Sequence, residues 1–240
     1  MGASEGIGYN KAVYVCRMFA SIARRYDLLN AVLSLGCDRG WRRFVMARIS
    51  DVPHESILDL ATGTGKIALL AARCYPESTV VGVDFCLEML TIGDKQADKN
   101  RVGEKVHLLQ GDALRLPFHD GIFDCLTIGF ALRNVTSIAS LFSEMARVTK
   151  PGGKMISLEL TRPSNRLLEY AHKLYIKIVI RCIGGIVSGK WDAYTYLPQS
   201  ILEFPSPQEV KKVMEAAGWR DVKIYRLTFG VATVQTGIKG

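Results

Sequence analysis

The sequence predicts an α/β protein. It has a seven-stranded, mostly parallel sheet covered by helices and finished by a C-terminal antiparallel hairpin. A helical layer precedes the sheet and a helical insertion follows the fifth strand. Three observations predict this. An apolar run ending at Leu60 leads into Ala61-Thr62-Gly63-Thr64-Gly65-Lys66, and the apolar stretch Ile67 to Ala72 follows: strand, tight turn, helix. A second buried-type strand, Thr79 to Val83, ends on Asp84, 19 residues past Gly65. An acidic residue at that spacing from a glycine turn is placed to hold ribose hydroxyls. The alternation of apolar strand and amphipathic helix then continues to Leu160, the pattern of a parallel sheet with both faces covered.

Taken in order, residues 1–10 are small, polar and glycine-rich, and are expected to fray. Lys11 to Arg25 reads as helix, with Val15, Met18, Phe19, Ile22 and Ala23 at helical spacing. Tyr26-Asp27-Leu28-Leu29-Asn30 leads into a separate apolar piece, Ala31 to Leu35, broken by Gly36. Asp38 is expected to cap a third helix that carries Trp41, Phe44, Val45 and Ile49. Later strands are expected over Lys105 to Gln110, Ile122 to Ile128 and Lys154 to Leu160, with Pro151-Gly152-Gly153 as a turn before the last. Glu88 to Asn100 and Ile138 to Thr149 read as the intervening helices. Right-handed crossovers put the strand C-termini, and with them Gly63, Asp84, Asp112 and Gly129, along one edge.

After Thr161 the character changes. Leu167, Leu168, Ala171, Leu174, Tyr175, Ile178, Val179, Cys182, Ile183 and Ile186 form an apolar helical stripe opposite Lys173, Lys177 and Arg181. Residues 161–200 hold six Lys/Arg against two Asp/Glu, half of the chain's net charge of +8. Pro207 to Ala217 is expected as a helix stopped by Gly218, and Lys223 to Thr228 with Val231 to Thr236 as the closing hairpin. The chain thus divides into a helical cap (1–50), a nucleoside-binding core (51–160), a substrate-side lid (161–206) and a helix-plus-hairpin that completes the sheet (207–240).

With 240 residues, 48% of them hydrophobic, the chain is long and apolar enough for a sizeable core. The six cysteines are scattered without C-x-x-C spacing, so free thiols and a cytoplasmic, reducing setting are expected. No uncharged apolar run reaches 18 residues, and no membrane span is expected. The four histidines show no ligand spacing with cysteine, so no metal site is expected either. The basic balance leaves nucleic acid, an anionic membrane surface or an acidic ligand open. Because the charge gathers on an apolar helix rather than among exposed aromatics, nucleic acid is the weaker reading.

The glycine turn lacks the third glycine of a dinucleotide fingerprint, since Ala68 stands there, and Asp59 precedes it. Asp-x-Ala-x-Gly-x-Gly resembles the nucleoside loop of Rossmann-like methyltransferases that use S-adenosylmethionine. On this reading Asp59 reaches the positively charged methionine end directly or through water. Gly63 and Gly65 let the backbone approach the ligand, and Asp84 takes both ribose hydroxyls. Further pieces extend the resemblance over nearly the whole chain. They are Phe19-x-x-Ile22-Ala23-x-x-Tyr26-Asp27-x-x-Asn30, Leu33-Ser34-x-Gly36 with Trp41-Arg42, Leu116-Pro117-Phe118, Leu132-Arg133-Asn134-Val135, Lys150-Pro151-Gly152-Gly153, Tyr194-x-Tyr196-Leu197-Pro198 and Leu227-Thr228-x-Gly230-x-Ala232. Together they resemble the ubiquinone/menaquinone biosynthesis C-methyltransferases.

The resemblance implies a class I fold and methyl transfer from S-adenosylmethionine to a ring carbon of a polyprenylated, demethylated quinol. Methylation of another lipid or phenol is the alternative. Thr64, Asp84, and Asp112 with Ala113, match cofactor-contacting positions, and Tyr26, Phe85 and Gly129 join them as candidates. Asp112 is expected to read the adenine amino group. Arg133, Asn134 and Tyr194 are the candidates for positioning the ring and stabilising a phenolate. The sequence departs from the family pattern at Lys66, often Asp, which is expected to face solvent or pair with an acid, and at Gly129, commonly Ser. The basic amphipathic stretch Leu167 to Val187 is expected either to touch an anionic bilayer, which suits a peripheral membrane enzyme, or to pack as a lid or at a homodimer seam.

Overall fold

The computed structural model describes residues 2–163, 165–175 and 198–240, with the side chains of residues 2–10 and 12 excepted. Two helices come first, α1 (Gly2–Leu33) and α2 (Cys37–Ile49). The core follows as β1 (Ser56–Leu60), α3 (Lys66–Cys74), β2 (Thr79–Asp84), α4 (Leu87–Lys99), β3 (Val106–Gln110), β4 (Phe123–Gly129), α5 (Ile138–Val148) and β5 (Thr149–Leu160). Helix α6 (Arg166–Tyr175), a helical segment at 198–203, α7 (Pro207–Ala216), β6 (Trp219–Leu227) and β7 (Ala232–Lys239) complete the described chain.

The seven strands lie in the order β3-β2-β1-β4-β5-β7-β6. Strands β1 to β5 pair in parallel, and β7 runs antiparallel between β5 and β6. Strand order therefore reverses between β1 and β4. A crevice opens outside the carboxyl ends of the strands at such a point. Alternate residues of each strand face opposite layers, as the pleat requires. Leu58, Leu60, Leu126 and Ile128 pack with Phe142, Met145, Met214 and Trp219 under α5 and α7. Ile57, Val80, Cys125 and Ile156 pack with Trp41, Val45, Ala68 and Ala72 under α2 and α3. Ser206 starts α7 with a reciprocal capping box to Glu209.

The structure corrects several sequence boundaries. Residues 2–33 form one continuous helix, with no break at Asn30 and no fraying assigned to the glycine-rich start. Contacts along its length to α4 and to the 131–137 loop outweigh its weak local propensity: Ala23 and Phe19 pack with Met89, and Lys11 Nζ donates to Val135 O at 3.0 Å. Asp38 does not cap α2. Gly36, at φ +77°, is the N-cap, and Asp38 accepts from Ser34 Oγ at 3.0 Å and pairs with Arg42. Pro151-Gly152-Gly153 lies inside a longer β5, where the register with β4 shifts between Phe123 and Cys125. Strand β6 begins four residues earlier than the alternation signalled, at Trp219. The lid helix is seen from Arg166 to Tyr175, and its continuation to Ile186 lies outside the described residues.

Candidate cofactor and substrate site

The glycine turn connects β1 to α3. Gly63 and Gly65 both take left-handed backbone, φ +58° and +76°, and so does Ala61 at +48°. Gly65 N–H donates to Thr62 O at 2.9 Å and Thr62 N–H to Val83 O at 3.1 Å, which pins the turn against β2. Asp84, at the end of β2, accepts from Gly63 N–H at 2.7 Å through Oδ2 and from Cys86 N–H at 2.8 Å through Oδ1. Each oxygen keeps a lone pair for a further donor. Burial raises the Asp84 carboxyl above its usual range, against the backbone donors that lower it.

These groups border a cavity of about 690 Å³ over the strand ends. Tyr26, Gly63, Asp84, Phe85, Asp112, Ala113, Gly129 and Asn134 all line it, so the structure brings eight of the sequence candidates to one place. Asp112 Oδ1 accepts from Leu114 N–H at 2.9 Å, which orients its carboxylate in the loop after β3. A Cβ on Gly129 would collide with the Ile67 side chain. A serine there would require the end of the Ile67 side chain to shift. Helix α1 roofs the cavity with Val15, Cys16, Phe19 and Tyr26.

Three candidates sit behind the wall. Asp59 is buried. Its Oδ2 accepts from Thr62 Oγ1 and its Oδ1 from Thr127 Oγ1, both at 2.6 Å. Asp59 faces Thr127 directly across the β1–β4 pairing and lies on the α3 side of the sheet. Burial first of all raises its carboxyl to about 6, opposed by hydrogen bonds from the two threonines and Ala68 N–H. It clamps the turn from below and does not line the cavity. Thr64 Oγ1 donates to Asp27 Oδ1 at 2.7 Å, and Gly65 packs against Leu69. Asp27 also receives Gln96 Nε2 at 2.9 Å and pairs with Lys66 Nζ at 3.1 Å. Lys66 therefore points away from the ligand side and meets an acid, as its charge required. Asp27 ties α1 to both α3 and α4.

A second cavity of about 450 Å³ adjoins the first. Tyr26 and Phe130 line both. Its remaining walls are mainly apolar, among them Leu33, Trp41, Leu160, Ile201 and Val231. Phe130 holds φ +60°, a left-handed conformation just past β4. Of the consecutive residues Arg133 and Asn134, Arg133 borders the second cavity and Asn134 the first. Arg133 forms a buried ion pair with Glu159 at the end of β5, and its backbone N–H donates to the same carboxylate at 3.4 Å. Its Nε–H is buried with no hydrogen-bond partner among the described residues. Tyr194 lies outside the described residues.

Sequence reasoning missed Glu159 and Phe130, because an acid inside an apolar strand and an aromatic just past another carry no spacing signal. It also missed the approach of Cys16, Cys86 and Glu88, whose ligand-type atoms lie within 4.8 Å on the cavity's α1 side. Burial pushes the Cys86 thiol up, so it forms a neutral part of the wall. Among the described residues, no helix is long and apolar enough to cross a membrane.

The demethylmenaquinone methyltransferase of Roseiflexus castenholzii is 42% identical over 229 residues, covering 95% of this chain and 94% of that protein. The ubiquinone/menaquinone biosynthesis C-methyltransferase UbiE of Geobacter sulfurreducens is 44% identical over 225 residues, covering 93% and 87%. Among solved structures, a SAM-dependent methyltransferase from Thermotoga maritima superposes with a TM-score of 0.68 at 19% identity, covering 93% of this chain and 99% of that one. The [4+2]-cyclase SpnF superposes nearly as well, at 0.67 and 15% identity over 94% of each chain. The fold alone therefore does not assign a reaction. The ubiE/COQ5 methyltransferase family model matches residues 8–239, and on that span, with those relatives, the chain belongs to the ubiE/COQ5 methyltransferase family.

Proposed function

We propose that this protein transfers a methyl group from S-adenosylmethionine to a ring carbon of a demethylated isoprenoid quinol, converting demethylmenaquinol to menaquinol or acting on the corresponding ubiquinol precursor. The observation that carries this reading is the meeting of two unlike cavities at Tyr26 and Phe130, with Arg133 and Asn134 on either side of the junction. A nucleoside suits the first cavity: free lone pairs on Asp84 can accept from a diol, and Gly63, without a side chain, leaves the approach open. When bound there, S-adenosylmethionine supplies an electrophilic methyl group on a sulfonium.

The chain's own residues do the rest. The junction holds a ring between Tyr26 and Phe130 and presents its carbon in line with the first cavity, which removes the entropy of a bimolecular encounter. A quinol carbon becomes nucleophilic as a neighbouring hydroxyl loses its proton. The Arg133 Nε–H, without a partner among the described residues, donates to that oxygen and stabilises the developing phenolate. Glu159 balances the guanidinium charge and fixes its plane. Asn134 orients the ring from the other cavity. A water held by these polar groups takes the hydroxyl proton; once the ring carbon is methylated its own proton leaves and the oxygen is reprotonated, so the aromatic quinol is restored with one proton released overall. Thr64 and Asp59 act through the turn they brace.

Incubation with methyl-labelled cofactor and a panel of demethylquinols, followed by mass identification of the product, tests the reading. Label on the quinol ring is expected. Label appearing only in RNA, or only on oxygen of a simple phenol, would overturn it. The basic amphipathic stretch from Leu167 onward is proposed to rest on an anionic bilayer, where such a substrate resides. Cosedimentation with anionic liposomes should fall when Lys173, Lys177 and Arg181 are reversed to glutamate, and unchanged binding would remove this part.

A further inference from the structure

We infer that the second cavity is the groove for the isoprenoid chain of the substrate. It holds only the first few five-carbon units and releases the remainder between two strained apolar loop tips, Leu35 and Phe229. This inference rests on the quinol reading above and extends it to the part of the substrate that does not react.

The cavity begins at the Tyr26–Phe130 junction and is walled by Leu33, Trp41, Leu160, Ile201 and Val231. Helix α6 closes one side, held there by Tyr175 Oη, which donates to Leu33 O at 2.9 Å. Several polar groups along the wall are turned to other work. Trp41 Nε1–H donates to Thr228 Oγ1 at 2.8 Å, and Asp38 is held by Ser34 and Arg42. A mainly apolar wall suits a chain that offers no hydrogen bonds, and Arg133 lies at the end where the ring would sit.

The mouth supplies the second argument. Leu35, in the turn between α1 and α2, is 80% exposed at φ +52°, and Phe229, in the turn between β6 and β7, is 81% exposed at φ +57°. Both line this cavity. A left-handed backbone is costly for a bulky residue, and glycine or asparagine relieves it. Two large apolar side chains are nonetheless kept in such conformations, facing solvent, from loops far apart in sequence. Both features are accounted for when a hydrocarbon chain lies across them. At about 450 Å³ the cavity is too small for a long polyprenyl chain, so the distal units must pass this rim.

The test compares kcat/KM for one demethylated ring carrying no chain and chains of increasing length, in detergent and without liposomes. The ratio of chain-bearing to chainless substrate is expected to rise about ten-fold or more over the first few units and then to level off, since apolar surface is removed from water only until the groove is full. Val231→Phe, which narrows the groove, and the double variant Leu35→Asn/Phe229→Asn, which removes the rim while suiting its backbone, should each lower that ratio several-fold. The rim positions are exposed, so the double variant keeps the test open where Val231→Phe fails to fold. A ratio independent of chain length, or the same in the double variant as in the parent, would overturn the groove while leaving ring methylation standing. In a parallel arm with liposomes, a rim effect seen only there, and equal for chainless substrate, would overturn the groove in favour of membrane docking by the rim. If no quinol is methylated at all, the groove and the parent reading fail together.

Discussion

The two cavities are built by opposite routes. Most of the first is assembled from strand ends and the turns that follow them: 61–65, 83–86, 111–115 and 129–137. Each of those turns sits at a position the parallel topology dictates, and each carries a short polar or glycine-rich signature. The second draws on the ends of α1 and α2, the turn after β4, helix α6, the 198–203 segment and the β6–β7 turn. Its residues are mostly ordinary apolar ones. The lesson is that a site for a ligand rich in polar groups leaves local marks on a chain, whereas a site for a hydrocarbon is made by enclosure alone.

Substitutions at the boundary test this contrast most severely. Arg133→Ala leaves Glu159 buried without its partner and should cost about 3–5 kcal/mol of stability. Denaturant melts would measure it, and Glu159→Gln in the same background should recover much of the loss. A loss of turnover far beyond the loss of folded protein is expected as well, and its absence would confine Arg133 to a structural part.

Asp59 tests the region beneath the first cavity. Its carboxyl is raised from 3.8 to about 6 by burial. The folded state therefore binds a proton more tightly than the unfolded state. The contribution of Asp59 to stability is greatest below the unfolded value and falls as pH rises through about 6, by on the order of 3 kcal/mol in total. Asp59→Asn should flatten that slope between pH 4 and 6 in urea titrations. Cofactor affinity should change little, because Asp59 touches only the back of the turn.

Asp84 is the contrasting acid. Asp84→Asn replaces a charged acceptor with a neutral one, and calorimetry should show cofactor affinity weakened by about 1.5–3 kcal/mol, roughly 10- to 150-fold. In the parent protein, affinity should also decline as pH falls through the raised Asp84 value, since the protonated acid no longer accepts fully from a diol. Asp27 gives the smallest of these effects. Asp27→Ala removes the tie between α1 and the turn, and KM for the cofactor should rise about ten-fold, the equivalent of roughly 1.4 kcal/mol. An unchanged KM would mean that α1 is held over the cavity by its apolar contacts alone.

Particular residues show how far the sequence could be read. The Gly63–Gly65 turn and the Asp84 strand end were legible because backbone sterics and hydrogen-bond chemistry act over a few residues. Asp59 was legible as a motif residue but not as a buried clamp, since that depends on Thr127, which lies 68 residues away across β4. The continuity of α1 was hidden because its glycine-rich start argues against helix locally, while its contacts with α4 and the 131–137 loop come from elsewhere in the chain. The pairing of Arg133 with Glu159 required two strand ends to be adjacent, and no spacing encodes that.

By itself, then, the sequence determined the alternating layers, a mostly parallel sheet closed by an antiparallel hairpin, the edge on which a nucleoside would sit and the family resemblance. Those follow from periodicity and short-range chemistry. Tertiary structure alone decided which carboxylate faces the cavity, that Arg133 pairs with Glu159 beside it, and that an apolar cavity adjoins the polar one. Such facts depend on the packing of segments distant in the chain, where burial and enclosure are properties of the whole fold and of no single stretch.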